Sequence, residues 1–178
     1  MKYLIATDIH GSLKWFNKLM EAYNKENPDL LILLGDYYYH GPRNPFPNEY
    51  SPMDVANIIK TLKEKVVLIK GNCDSEIDET VTECDFISEY VVENNGKSVL
   101  FTHGHKISAY YPTSKRYDAV INGHYHINEV VDVGKTKYIT ISSISLPKEG
   151  YEGSYAILEN GVIIIKNLNG KELKKVIL

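Results

Sequence analysis

Tyr3-Leu-Ile-Ala-Thr-Asp-Ile-His-Gly-Ser12 is the stretch on which the fold turns. It opens with an apolar run that stops at Asp8, the pattern of a short buried strand. Ser12 offers a helix N-cap, and Leu13, Phe16, Leu19, Met20 and Tyr23 follow at helical spacing. The pattern then repeats. Residues 30–34 read as a second buried strand ending at Gly35-Asp36. Residues 53–63 carry Val55, Ile58, Ile59 and Leu62 at helical spacing, and residues 66–69 read as a third strand ending at Gly71-Asn72. Alternation of strand and helix predicts a parallel sheet.

The second half changes character. Residues 86–92, 98–102, 119–121, 129–133, 138–142, 154–158, 162–167 and 174–178 read as strands, and no good helix follows about residue 82. Asn94-Asn-Gly96 and Glu159-Asn-Gly161 mark hairpin turns. Two sheets packed face to face, with helices outside, are the simplest arrangement. The length, 178 residues, suggests one domain over residues 1–178.

Polar residues gather where strands end. Asp8-Ile-His10, Gly35-Asp36, Gly71-Asn-Cys-Asp74, His103-Gly-His105 and Gly123-His-Tyr-His126 each follow a predicted strand. In open α/β sheets, ligands bind outside the carboxyl ends of strands. Five of the six histidines fall in these segments, and His40 lies just after Gly35-Asp36. Taken singly, each motif reads as a surface turn, since Gly, Asp and Asn tolerate positive φ. Five in a fixed order point instead to a metal site. Imidazole with carboxylate suits Mn, Fe, Zn, Co or Ni, and the scarcity of thiolates argues against a structural zinc.

Asp8-x-His10, Gly35-Asp36, Gly71-Asn72, His103 and Gly123-His124-x-His126 resemble the ordered motifs of the calcineurin-like metallophosphoesterases. The segments Tyr39-His-Gly-Pro-Arg-Asn-Pro-Phe-Pro47, Gly71-Asn-Cys-Asp-Ser-Glu76 and Ser143-Ile-Ser-Leu-Pro-Lys148 are similar to a small bacterial branch, the YfcE-type phosphodiesterases. The resemblance implies an α/β (α+β) fold, a four-layer αββα sandwich of two mixed β-sheets flanked by helices. It implies two divalent ions, with Mn as first choice. One would take Asp8, His10, Asp36 and His126; the other would take Asp36, Asn72, His103 and His124; Asp36 would bridge. A hydroxide between the cations would attack phosphorus, since such ions lower the pKa of water toward neutrality. Phosphodiester hydrolysis is the first expectation. A phosphomonoesterase acting on small metabolites is the alternative, and a non-catalytic protein-binding scaffold of the same fold is the alternative of another class.

Departures from the family pattern bear on the proton donor. Many relatives carry an Asp and a His that together can protonate the leaving group; the matching positions here are Tyr39 and Cys73. The acid is therefore sought among His105 first, then Asp74 and His40, with Asp74 read otherwise as a partner that orients His10. Asn72 joins the catalytic set. Asn72, His40, Arg43 and Cys73 form the expected substrate contacts, with Cys73 read otherwise as a small filler beside the metals. The loop at residues 44–52, with Phe46 and Tyr50, is expected either to wall the cleft or to join subunits in a homodimer or homotetramer. Residues 109–113 are expected in a loop, where many relatives insert a helix.

Net charge is −3, which argues against a broad groove for a nucleic-acid polymer and leaves a small phosphodiester or phosphomonoester as the expected substrate. Two cysteines form no disulfide framework and fit a reducing, cytoplasmic setting. No signal peptide or membrane span is expected.

Overall fold

The computed structural model describes residues 1–178. The first half alternates as expected: β1 (Tyr3–Ala6), α1 (Leu13–Glu26), β2 (Leu30–Leu33), α2 (Pro52–Lys60) and β3 (Val66–Leu68). A seven-residue helix, α3 (Glu76–Thr82), then precedes eight strands: β4 (Tyr90–Asn94), β5 (Lys97–Phe101), β6 (Ala119–Asn122), β7 (Glu129–Val133), β8 (Thr136–Thr140), β9 (Ser154–Glu159), β10 (Val162–Asn167) and β11 (Glu172–Ile177).

Both sheets are mixed. The six-stranded sheet runs β11-β10-β9-β1-β2-β3, with β1, β2 and β3 parallel. The five-stranded sheet runs β4-β5-β6-β8-β7, with β5, β6 and β8 parallel. All four residues of β1 are buried, because one face meets the helices and the other meets the second sheet. Alternate residues divide the work: Leu4 and Ala6 pack against Phe16, Leu19, Val55 and Ile59, while Tyr3 and Ile5 pack with Val99, Phe101, Ile121 and Ile139.

The two outer layers are unequal. The helices cover the six-stranded sheet. The outer face of the five-stranded sheet, carrying Leu100, Val120 and Tyr138, is covered by Ile107, Ala109 and Tyr117 from an irregular segment. Residues 109–113 are indeed loop there.

Two local expectations are corrected, and one helix was not anticipated. The run at 86–92 is not one strand. Phe86 packs against Tyr37 on the helical side, Ile87 bridges to Ile69 at the edge of the six-stranded sheet, and only from Tyr90 does the chain join the other sheet. An apolar run that crosses between sheets looks, in sequence, like one strand. Helix α3 has no apolar stripe to reveal it; it starts at a capping box in which Ser75 and Asp78 satisfy each other's backbone N–H groups. Ser12 precedes α1 but does not cap it with its side chain, because its hydroxyl donates to the Asn48 carbonyl instead, at 2.6 Å. No helix is long and apolar enough to cross a membrane.

Candidate metal centre

Asp8 and His10 follow β1, Asp36 follows β2, Asn72 follows β3, His103 follows β5, and His124 and His126 follow β6. The loops behind β1 and β2 stay paired beyond the strands: the Asp8 N–H donates to the Gly35 carbonyl at 3.0 Å and the His10 N–H to the Asp36 carbonyl at 2.9 Å. Asp8, His10, Asp36, His124 and His126 all hold left-handed backbone, with φ of 55°, 50°, 58°, 72° and 63°. For a residue with a Cβ that conformation costs on the order of 1 kcal/mol or more, and Asp and His bear it better than most. Five such residues at one site mark backbone bent to aim side chains inward. Gly71 and Gly123 leave room for this. A Cβ on Gly71 would overlap Asp36 Oδ1, and one on Gly123 would overlap Thr7 Oγ1.

The side chains converge in two groups that share Asp36. In the first, His126 Nε2 lies 3.3 Å from Asp8 Oδ1 and 3.3 Å from His10 Nε2, and His10 Nε2 lies 3.9 Å from Asp36 Oδ2. In the second, His103 Nε2 lies 3.5 Å from Asp36 Oδ1 and 3.0 Å from Asn72 Oδ1. His124 stands beside it, with ring centroids of His103 and His124 5.1 Å apart. Each oxygen of Asp36 faces a different group.

Main-chain carbonyls fix the histidine tautomers. Nδ1 of His10 donates to the Tyr39 carbonyl at 2.7 Å, Nδ1 of His103 to the Leu34 carbonyl at 2.6 Å, and Nδ1 of His126 to the Leu146 carbonyl at 2.6 Å. With a proton held on Nδ1, a ring in its neutral form turns a bare Nε2 lone pair into the site. His103 Nε2 and Asn72 Oδ1 are then two acceptors face to face. Asp8 Oδ1 is buried and has no hydrogen-bond donor, while Oδ2 accepts from Thr7 Oγ1 and from the His124 N–H. Unmatched acceptors in a buried space are costly without a cation among them. The donors present therefore fit divalent metal ions.

Burial and neighbouring charges shift three of these groups. Burial opposes ionisation of Asp8, but His10 and His126 outweigh it and hold the carboxyl well below the usual range. Burial and the neighbouring His103 push His124 down to about 4, so it is neutral and free to ligate at neutral pH. For His10, burial is outweighed by Asp8, and the pKa rises.

Asp74 does something other than expected. Its Oδ2 accepts from the N–H groups of Asp36 at 2.8 Å and Gly71 at 2.7 Å, and its Oδ1 from Tyr37 at 2.9 Å. It ties the loops behind β2 and β3 together, and His10 is oriented by the Tyr39 carbonyl instead. Burial and Asp36 raise its carboxyl to about 6.

A cleft of about 320 Å³ opens over the centre. Candidate ligands His10, Asp36, Asn72, His124 and His126 form its floor; Gly41, Pro42, Arg43, Asn44, Cys73 and Lys148 complete it. Arg43 and Cys73, expected as substrate contacts, are part of that lining. Burial and Asp36 push the Cys73 thiol up to about 12, and its sulfur lies within ligand reach of His10 and Asp36. His40 is not in the lining: it stacks on Phe46 with ring centroids 4.3 Å apart and meets Tyr50 edge-on. Phe46 and Tyr50 accordingly pack on His40, and Asn44 is the part of that loop that faces the cleft. His105 sits behind His103, ring centroids 5.3 Å apart, half-buried and outside the lining; burial lowers its pKa. A larger depression lined by Arg116, Tyr117, Asp118 and Lys135 lies at the opposite ends of β6 and β8 and contains no candidate ligand.

Sequence reasoning missed Lys148, the three carbonyls, and the serines of the 143–148 segment. Ser143 Oγ and Ser145 Oγ both donate to the Asp8 carbonyl, at 2.7 and 3.1 Å. That segment therefore holds Asp8 by its backbone, His126 through the Leu146 carbonyl, and the cleft through Lys148. Its resemblance to the bacterial branch was the available signal for it.

A family model described as a calcineurin-like phosphoesterase superfamily domain matches residues 1–161. Phosphodiesterase YfcE of Escherichia coli K12 is 33% identical over 175 residues, covering 97% of this chain and 95% of the relative. A phosphodiesterase of Methanocaldococcus jannaschii is 30% identical over 148 residues, covering 75% of this chain and 80% of the relative. The solved structure of the E. coli YfcE phosphoesterase superposes with a TM-score of 0.93 at 30% identity, covering 99% of this chain and 98% of that one.

Proposed function

This chain belongs to the calcineurin-like phosphoesterase superfamily, and from that premise we propose that it is a binuclear, divalent-metal-dependent phosphodiesterase acting on a small substrate. The observation that carries the reading is the convergence of bare Nε2 atoms and the unpartnered Asp8 Oδ1 on a shared carboxylate, Asp36. Asp8, His10, Asp36 and His126 would hold one ion, and Asp36, Asn72, His103 and His124 the other. When bound, two such ions bring water toward ionisation at neutral pH and offset charge on the phosphoryl oxygens.

The chain's own residues do the rest. Thr7 and the His124 N–H orient Asp8, and Asp74 and the Cys73 N–H orient Asp36. Asn72 reaches the cleft and can contact a phosphoryl oxygen. Arg43 and Lys148 supply positive charge at its rim. The family resemblance puts Mn first, and the imidazole and carboxylate donors also admit Zn, Fe, Co or Ni. The free cysteines, Cys73 and Cys84, suit a reducing cytoplasm. Exposed Phe46 beside Tyr39 and Tyr50 offers a surface for a homodimer or homotetramer, testable by sedimentation of Phe46→Ala.

The test is hydrolysis of bis-p-nitrophenyl phosphate and p-nitrophenyl phosphate with added Mn²⁺, on the wild type and on His124→Ala. The diester should be preferred, and the variant should lose about 100-fold or more in kcat. Unchanged turnover in His124→Ala removes the two-ion reading; preference for the monoester moves the chain to the phosphomonoesterases. A chain that binds no divalent ion and hydrolyses neither compound is a scaffold.

A further inference from the structure

Two features of the cleft have no role in holding metal. The first is charge. Arg43 and Lys148 come from loops more than a hundred positions apart in sequence and line the same cleft. Neither takes part in any ion pair of the chain. A simple phosphodiester carries one negative charge, which the metal centre itself meets. Two further cations leave room for a second anionic group.

The second feature is the lack of a carboxyl or imidazole acid beyond the candidate ligands. Without the candidate ligands, the lining is Gly41, Pro42, Arg43, Asn44, Cys73 and Lys148, with no carboxyl and no imidazole. His40 and Asp74, offered by the sequence as acids, are committed elsewhere: His40 to its aromatic stack, Asp74 to three backbone N–H groups. His105 lies outside the lining. An alkoxide leaving group, with a pKa near that of water (~15.7), needs an acid. A phosphate leaving group, which titrates near ~6, needs only charge stabilisation.

We propose that the substrate class is the pyrophosphate diester, two phosphoryl groups joined through one oxygen and each bearing an organic group, with Arg43 and Lys148 holding the phosphate that leaves. This deepens the metal-dependent phosphodiesterase reading and rests on it. The oxygen of water bonds to one phosphorus, and the bond from that phosphorus to the bridging oxygen breaks. Its electron pair goes to the bridging oxygen, which departs as part of the second phosphate. One water proton stays on the attacked group and the other passes to solvent, so two phosphomonoesters form. The guanidinium of Arg43 matches a phosphate bidentately, and Lys148 adds a point charge.

The experiment compares diadenosine pyrophosphate, the dinucleoside monophosphate adenylyl adenosine, adenosine monophosphate and bis-p-nitrophenyl phosphate on the Mn²⁺-loaded wild type, Arg43→Ala and Lys148→Ala. Binding of the methylene-bridged analogue of diadenosine pyrophosphate is measured alongside by calorimetry. The wild type should cleave the pyrophosphate about 10-fold or more faster, in kcat/KM, than adenylyl adenosine or adenosine monophosphate. Each variant should lose about 10-fold on the pyrophosphate, with a parallel weakening of analogue binding, against about 3-fold on bis-p-nitrophenyl phosphate. Equal losses on all substrates, or faster turnover of adenylyl adenosine or adenosine monophosphate, overturn the proposal. So does a greater loss on adenylyl adenosine in Lys148→Ala, which would make Lys148 a proton donor. If the wild type hydrolyses none of the four, the phosphodiesterase reading itself has failed; if it cleaves bis-p-nitrophenyl phosphate but not the pyrophosphate, only the substrate class has.

Discussion

His10 and His126 point their Nε2 atoms at each other across 3.3 Å, and each donates a hydrogen bond from its Nδ1–H to a main-chain carbonyl, of Tyr39 and Leu146 respectively. In their neutral forms two rings so held present lone pair to lone pair, beside the bare Asp8 Oδ1. A cation between them, a metal ion or a proton, relieves that contact. On the proposed two-ion reading this pair, joined from β1 and β6 loops of different sheets, makes metal binding a matter of stability as well as of chemistry.

Divalent metal should raise the melting temperature. At about 100 times Kd a single ion adds about 2.7 kcal/mol, which for a domain of this size corresponds to roughly 5–10 °C. Scanning calorimetry with Mn²⁺ and then with excess EDTA checks this. His126→Ala should abolish most of the rise; a full rise in that variant would place the ion elsewhere.

Asp74→Asn separates a structural tie from an acid. The carboxylate accepts three backbone N–H groups, and an amide must turn its own NH₂ toward at least one of them. The expected cost is about 2–3 kcal/mol in chemical denaturation. Metal affinity should fall with it. A variant of undiminished stability that loses only kcat would restore Asp74 as a proton donor.

Ser143→Ala should loosen the centre without touching a ligand. Ser143 Oγ donates to the Asp8 carbonyl and accepts from the Leu146 N–H, whose own carbonyl fixes His126. Loss of such a support weakens metal affinity about 10–100-fold. Titration calorimetry measures it, and wild-type affinity in Ser143→Ala would contradict the assigned role.

Far from the cleft, Glu26 sets an acid limit. Burial would raise its carboxyl, but Lys166 at 2.6 Å, Lys2 at 3.0 Å and Tyr155 at 3.0 Å bring it down from 4.5 to about 2. The folded pKa is the lower one, so its stabilisation is complete above about pH 4.5 and fades as pH falls toward 2. Glu26→Gln should cost about 1–2 kcal/mol at pH 7 after allowance for solvent screening. Between pH 4.5 and 2 the gap between variant and wild type should close; a gap independent of pH would refute the ion pairing.

The parallel sheet was legible because β1, β2 and β3 are each a buried apolar run that ends in a polar turn. The seven candidate ligands were legible for a related reason: they are polar residues just beyond β1, β2, β3, β5 and β6, and all but Asn72 are imidazole or carboxylate. Helix α3 was not legible, since seven residues held by a cap carry no periodicity. The 86–94 stretch misled because its apolar residues serve two sheets in turn.

The amino-acid sequence by itself determined which residue types stand at the strand ends, and so the imidazole and carboxylate donors on which the proposed metal centre rests. Tertiary structure alone decided how they are aimed. The carbonyls of Leu34, Tyr39 and Leu146 choose the tautomers, Asp74 becomes a tie between loops, His40 turns to an aromatic stack, and Lys148 arrives at the cleft beside Arg43. The physical reason is that a carbonyl is the same in every residue and leaves no mark in the sequence. Which one meets a given imidazole depends on how two sheets pack, with contacts spanning up to 69 positions for His103 and Leu34.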